Sequence, residues 1–178
     1  MEKIFPTIET DRLILNNFCI SDSHNVQKLA GDYDIYKTTL HIPHPYSDGM
    51  AEKWISSHLA DFYNNKGVTL AIRTKNEDKL IGAISLGVNT TNNRAELGYW
   101  IGIPYWNQGY CTEASKYVIK YGFDVLNLHK ITSSYISTNL SSGRVMEKIG
   151  MQKEGEHKDH IIKDGVFYTL ITYGIIKT

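Results

Sequence analysis

Apolar residues along this chain recur with two different periods, and the changes between them mark out its elements. The run Arg12-Leu13-Ile14-Leu15 suits a short buried strand. Beyond it, Ser21-Asp22-Ser23 offers N-cap groups for a helix that carries Val26, Leu29 and Ala30. Residues 31–46 show no period, and Pro43 and Pro45 interrupt regular structure, so this segment is expected to be irregular. A second helix starts near Ser47, with Met50, Trp54, Ile55, Leu59, Phe62 and Tyr63 expected on one broad buried face.

From Val68 the period drops to two. Segments 68–73 and 80–88 read as strands joined by the polar turn Lys75-Asn76-Glu77-Asp78. A third strand, 95–103, alternates: Leu97, Tyr99, Ile101 and Ile103 share one face, with Glu96, Gly98 and Trp100 on the other. Helical spacing returns in Ala114, Tyr117, Val118, Tyr121 and Val125. Segment 130–136 is another strand, and 141–148 is a short helix that Gly150 stops. Asp164-Gly165, between two long strands, is a strong two-residue hairpin signal. Strand-rich runs with inserted helices predict a mixed α/β (α+β) chain. With no repeat or linker, residues 1–178 read as one domain, long enough to bury a substantial core.

Charge narrows the function. Nineteen Lys plus Arg balance nineteen Asp plus Glu, so a general nucleic-acid or anionic-membrane binder is not expected. Cys19 and Cys111 are far apart and have no metal-ligand spacing, so neither a metal nor a disulfide framework is expected. Met1 to Pro6 lacks the apolar core of a signal peptide, and no run reaches membrane-spanning length, so the chain reads as cytoplasmic.

The segment richest in chemistry runs from Glu96 to Ala114: a strand, a glycine-containing turn and an amphipathic helix. The first N–H groups of that helix, around Gln108, Gly109, Tyr110, Cys111 and Thr112, form an anion site favoured by the helix dipole. Gly109 would let a phosphate approach the backbone closely. Cys111 has two readings there. A thiol at a helix start has its pKa lowered, whereas the alternative is a small residue that fills an alanine-sized space.

The run Ala95-Glu96-Leu97-Gly98-Tyr99-Trp100-Ile101, followed by Tyr105-Trp106-Asn107-Gln108-Gly109-Tyr110-Cys111-Thr112-Glu113-Ala114, resembles the central motif of the GNAT superfamily of N-acetyltransferases. More narrowly it resembles the RimJ/RimL-type branch, which includes enzymes that acetylate ribosomal-protein N-termini. The likeness extends through Glu9-Thr10-Asp11-Arg12-Leu13-Ile14-Leu15, Leu126-Asn127-Leu128-His129-Lys130-Ile131, Asn139 to Met151, and Lys163-Asp164-Gly165. It implies a mostly antiparallel, twisted central sheet flanked by helices, with splayed central strands. The donor it implies is acetyl-CoA. Ile101 and Ile103 would offer backbone groups to its pantetheine arm, Gln108, Gly109, Tyr110, Cys111 and Thr112 would cradle its phosphates, and Asn139 would bond the arm.

Direct attack of an amine on a thioester needs a proton acceptor, an oxyanion donor and help for the departing thiolate. Glu96 is the first candidate for the proton, since burial on the central strand would favour proton uptake. His41, His157 and His160 are alternatives because imidazole titrates near neutrality. The resemblance puts a backbone N–H near Trp100 or Ile101 on the oxyanion and Ser142 on the sulfur. Asn139 and Ser142 would equally serve as helix caps. The acceptor is expected to be a peptide or protein N-terminus. A small amine such as a polyamine, amino acid or antibiotic is the alternative, and a module that holds coenzyme A without turnover is a third reading. The branch includes dimers, so a homodimer is compatible with the resemblance.

Overall fold

The computed structural model describes residues 3–178, and Met1 and Glu2 lie outside the described residues. Among the described residues, eight strands form one sheet in the order β1-β2-β3-β4-β5-β6-β8-β7. They are β1 (Ile8–Glu9), β2 (Leu13–Asn16), β3 (Gly67–Thr74), β4 (Leu80–Asn89), β5 (Arg94–Ile101), β6 (Lys130–Ile136), β7 (Gln152–Lys163) and β8 (Val166–Ile176). Every pairing is antiparallel except β5 with β6. The helices are α1 (Ser23–Ala30), α2 (Tyr33–Thr38), α3 (Met50–Tyr63), α4 (Tyr110–Asp124) and α5 (Leu140–Lys148). No helix among the described residues is long and apolar enough to cross a membrane.

The two faces of the sheet are packed differently. Leu70, Ile72, Ile84, Leu86 and Leu97 join Val118 of α4 and Met146 of α5 in one core. On the other face the strands contribute Ala71, Ala83 and Trp100, which meet Val26 and Ala30 of α1, Ile35 of α2 and Ile55 of α3. Period-two alternation sends large aliphatic side chains one way and mostly small ones the other.

Three expectations are corrected. Residues 31–46 contain α2, which begins at the Asp32 cap, whose carboxylate accepts from Asp34 N–H at 2.9 Å. The buried face of α3 is Ala51, Ile55, His58 and Phe62, whereas Met50, Leu59 and Tyr63 are exposed. A histidine on the inward face disguised that stripe. Finally, β5 ends at Ile101, and Ile103 begins a 3₁₀ turn (Ile103–Tyr105) that holds Pro104, a residue unable to donate to a ladder. The hairpin turn is as predicted: Asp164 and Gly165 both have positive φ, as a type I′ turn requires.

Candidate active site

The site begins where two strands part. β5 and β6 pair only through Arg94, Ala95 and Glu96 against Lys130, Ile131 and Thr132, after which they diverge. Past that point one edge of β5 has no strand beside it. In a strand, the N–H and C=O of one residue point the same way, and the direction alternates. The Ser133 hydroxyl donates to Leu97 O at 2.8 Å, and the Trp106 indole donates to Ile101 O at 2.5 Å. Gly102 N–H instead turns to Ile81 O on β4. The main-chain groups of Leu97, Tyr99 and Ile101 therefore face the gap, and those of Tyr99 find no strand partner there. Ile103 has left this edge, and its carbonyl accepts from Trp106 N–H inside the turn.

Helix α4 starts beside the gap. Gly109 adopts the left-handed conformation at φ 80°, and the first helical bond runs from Glu113 N–H to Gly109 O. The N–H groups of Tyr110, Cys111 and Thr112 therefore have no partner within the helix. The turn is clamped from the connection between β1 and β2. Arg12 donates to Gln108 O at 3.1 Å, and its guanidinium lies 4.6 Å from the centre of the Tyr110 ring. The Glu113 carboxylate accepts from the Thr10 hydroxyl at 2.6 Å, from Arg12 N–H at 2.9 Å and from Arg12 Nε at 2.7 Å. Burial alone would raise the Glu113 carboxyl, but these bonds outweigh it and hold the group below its ordinary range. Gln108 turns away, its amide donating to Pro104 O at 3.0 Å.

A cleft of about 890 Å³ runs along the gap, with Gly109, Tyr110, Cys111 and Thr112 on one wall and Asn139 and Ser142 on another. Ser142 is buried, and its Oγ lies 2.8 Å from the Tyr99 hydroxyl. Burial, with the Cys111 thiol nearby, pushes the Tyr99 phenol upward, so it stays protonated and able to donate. Asn139 caps α5. Its Oδ1 accepts from Ser142 N–H at 3.2 Å and its Nδ2 donates to Thr38 O at 2.9 Å, so both ends of the amide are engaged. Burial pushes the Cys111 thiol up to about 12, against the lowering a helix start would give. That direction favours the space-filling reading of Cys111 over the reactive one.

Glu96 sits where the strands begin to part, on the face opposite Leu97 as the alternation predicts. The burial expected of it is not found. Its side chain is exposed because no helix covers the sheet at that point. A trough of about 410 Å³ crosses this open face between β4, β5, β6, β7 and β8. Its lining includes Thr132, Thr172 and the pair Lys130 and Glu154, 2.7 Å apart. Trough and cleft share Gly87, Glu96 and Ser134, so Glu96 faces both. His41 lines the cleft, whereas His157 and His160 lie together on β7 with ring centres 5.3 Å apart, outside both cavities.

Sequence reasoning missed Tyr99. The alternation that put it on the Leu97 face was the available signal, but its value depends on α5 delivering Ser142 to the same point. The residues present suit a coenzyme A thioester: unpaired N–H groups and a left-handed glycine at a helix start, an open strand edge and a cleft between them.

Comparison with known proteins agrees with this geometry. Residues 12–152 match the family model of the acetyltransferase (GNAT) domain. The uncharacterized N-acetyltransferase YoaA of Bacillus subtilis is 29% identical, covering 98% of each chain. The alanine N-acetyltransferase of ribosomal protein uS5 from Escherichia coli is 31% identical over 50% of this chain and 47% of its own. A GNAT-family acetyltransferase structure from Bacillus anthracis superposes with a TM-score of 0.85 at 26% identity, covering 96% of this chain and 98% of that one. The chain belongs to the GNAT family and is an acetyltransferase that takes its acetyl group from acetyl-CoA.

Proposed function

We propose that the acceptor is the α-amine of a peptide or protein N-terminus. The observation that carries this reading is the trough on the uncovered sheet face, which opens into the cleft at Glu96. An extended chain needs an open approach, and hydroxyl-bearing strands with a paired Lys130–Glu154 give a polar bed for a backbone. The uS5 alanine acetyltransferase among the relatives is in keeping with such an acceptor.

Each part of the transfer then has a residue. The N–H groups of Tyr110, Cys111 and Thr112 receive the pyrophosphate, favoured by the α4 dipole. The open-edge N–H groups of Tyr99 and Ile101 hold the donor's carbonyl oxygen and arm, ready before reaction begins. Glu96 takes the proton as the amine nitrogen bonds to the acetyl carbon. Among the described residues it has no ion-pair partner to compete. As the carbon–sulfur bond breaks, the Tyr99–Ser142 hydroxyl pair donates a hydrogen bond to the sulfur and stabilises the departing thiolate. Asn139 fixes Ser142 through the α5 cap.

Coenzyme A release from acetyl-CoA, measured over N-terminal peptides, polyamines and amino acids, tests the reading. Peptides should turn over, and Glu96→Gln should lower kcat about a hundredfold at neutral pH. Part of that loss should return at high pH, where the amine is already neutral. Tight donor binding with no release on any acceptor would instead favour a non-catalytic coenzyme A module.

A further inference from the structure

The acceptor side of the cleft carries a chamber that acetyl transfer by itself does not require. Across β3, β4 and β5, Thr69, Ser85 and Gly98 form one row, and Gly67, Gly87 and Glu96 form the next. Both rows point to the α1–α3 face, the face of Ala71, Ala83 and Trp100. Floor residues this small leave a hollow. Gly98 is close-fitted to it, since a Cβ there would stand 3.2 Å from Ser85 Oγ. The walls are Ile35, Ile42, Tyr46, Trp54 and Trp100, all apolar or aromatic. At the end nearest the strand gap stands Glu96, the only carboxylate among the described residues that line the cleft.

We infer that this chamber receives the side chain next to the reacting amine and selects it for apolar bulk. The inference rests on the N-terminal reading above. With the amine at Glu96 and the peptide chain leaving along the trough, the first side chain has one direction left, over Gly98 and Ser85 toward Trp54. Leu, Met and Phe fill that space with apolar surface, whereas Gly and Ser leave it empty. Asp would bring a second carboxylate toward Glu96 and against the apolar walls Ile35, Ile42, Trp54 and Trp100. A polyamine would bring further ammonium groups, and among the described residues lining the cleft no carboxylate other than Glu96 is present to pair them.

The test is a series of peptides identical except for the first residue (Gly, Ser, Leu, Phe or Asp), run beside spermidine and phenethylamine. Two quantities are read: kcat/KM from coenzyme A release, and peptide affinity by calorimetry with coenzyme A present. Leu and Phe should exceed Gly and Ser about tenfold or more. Ser85→Leu fills the floor and should lower the Phe-to-Gly ratio about tenfold. Thr69→Leu fills the same row from β3 if the first variant does not fold. Because the readout is a ratio within one protein, a general loss of activity does not imitate it. Preference for Gly, Ser, Asp or spermidine, or an unchanged ratio in the filled variants, overturns the inference. Turnover of phenethylamine with every peptide inert supports the chamber and overturns the N-terminal reading.

Discussion

The two faces of this sheet are built from the same strands and serve different ends. Under α4 and α5, adjacent positions are Leu70, Ile72, Ile84, Leu86 and Leu97, each at most 2% exposed. Under α1 to α3, the alternate positions on the same strands are Thr69, Ala71, Ala83, Ser85 and Gly98. One face is filled to the density of a protein interior, and the other leaves a hollow that its helices roof with aromatic rings. The filled face also carries the start of α4, so the donor's anchoring sits on the rigid side. Selection of the acceptor falls to the face with room to spare.

Neighbours on β4 break the comparison most sharply. Leu86→Ala should cost about 3 kcal/mol in chemical denaturation, because the surrounding aliphatics cannot close the cavity. Ser85→Leu, one residue away on the other face, should cost less than about 1 kcal/mol and act on acceptor choice instead. Equal losses for both would mean that the second face is packed as tightly as the first.

Glu113 sharpens the donor half. Glu113→Ala removes the partner of Thr10, Arg12 N–H and Arg12 Nε, and should cost about 2 kcal/mol of stability. It should also weaken coenzyme A binding, measured by calorimetry. Because the folded carboxyl is held below its ordinary range, its contribution is present above the ordinary carboxylate pKa. It is lost as the pH falls through the folded value.

On the roofed face, His58 is buried against Trp54, at 4.4 Å and edge-on, and against Phe18. Neither ring nitrogen has a partner among the described residues, and burial lowers its pKa from 6.5 to about 4. The unfolded chain therefore binds the extra proton first. Stability should be full above pH 6.5 and decline as the pH falls toward 4. His58→Phe should flatten that decline in thermal melts. The smallest effect is expected at Cys111. Its thiol, pushed up to about 12, should resist alkylation at neutral pH while exposed Cys19 reacts, and Cys111→Ala should leave turnover within about twofold.

Local signals made much of this legible in the sequence. The Gly150 stop, the Asp164-Gly165 turn and the alternation along β5 as far as Ile101 depend on neighbouring residues only and are found as read, and of the two readings of Asn139 the local one, the cap, is present. What the sequence concealed depends on distant partners. α2 is too short to show a period, and its cap is its one local mark. The inward face of α3 includes a histidine that only Phe18 and Trp54 make tolerable. Glu96 is exposed because no helix reaches that part of the sheet, a fact of topology that its own strand does not reveal. Tyr99 gains its importance from Ser142, forty-three residues away.

The most direct measurement of the central claim is where the acetyl group lands. A peptide with a free α-amine, a first Phe and one internal Lys would be incubated with acetyl-CoA and the protein, then sequenced by tandem mass spectrometry. An amine that enters by the trough with its first side chain over Gly98 and Ser85 predicts acetylation at the α-amine, with the Lys Nζ untouched. Acetyl found on the Lys, or on neither amine while free phenethylamine is modified, would contradict it.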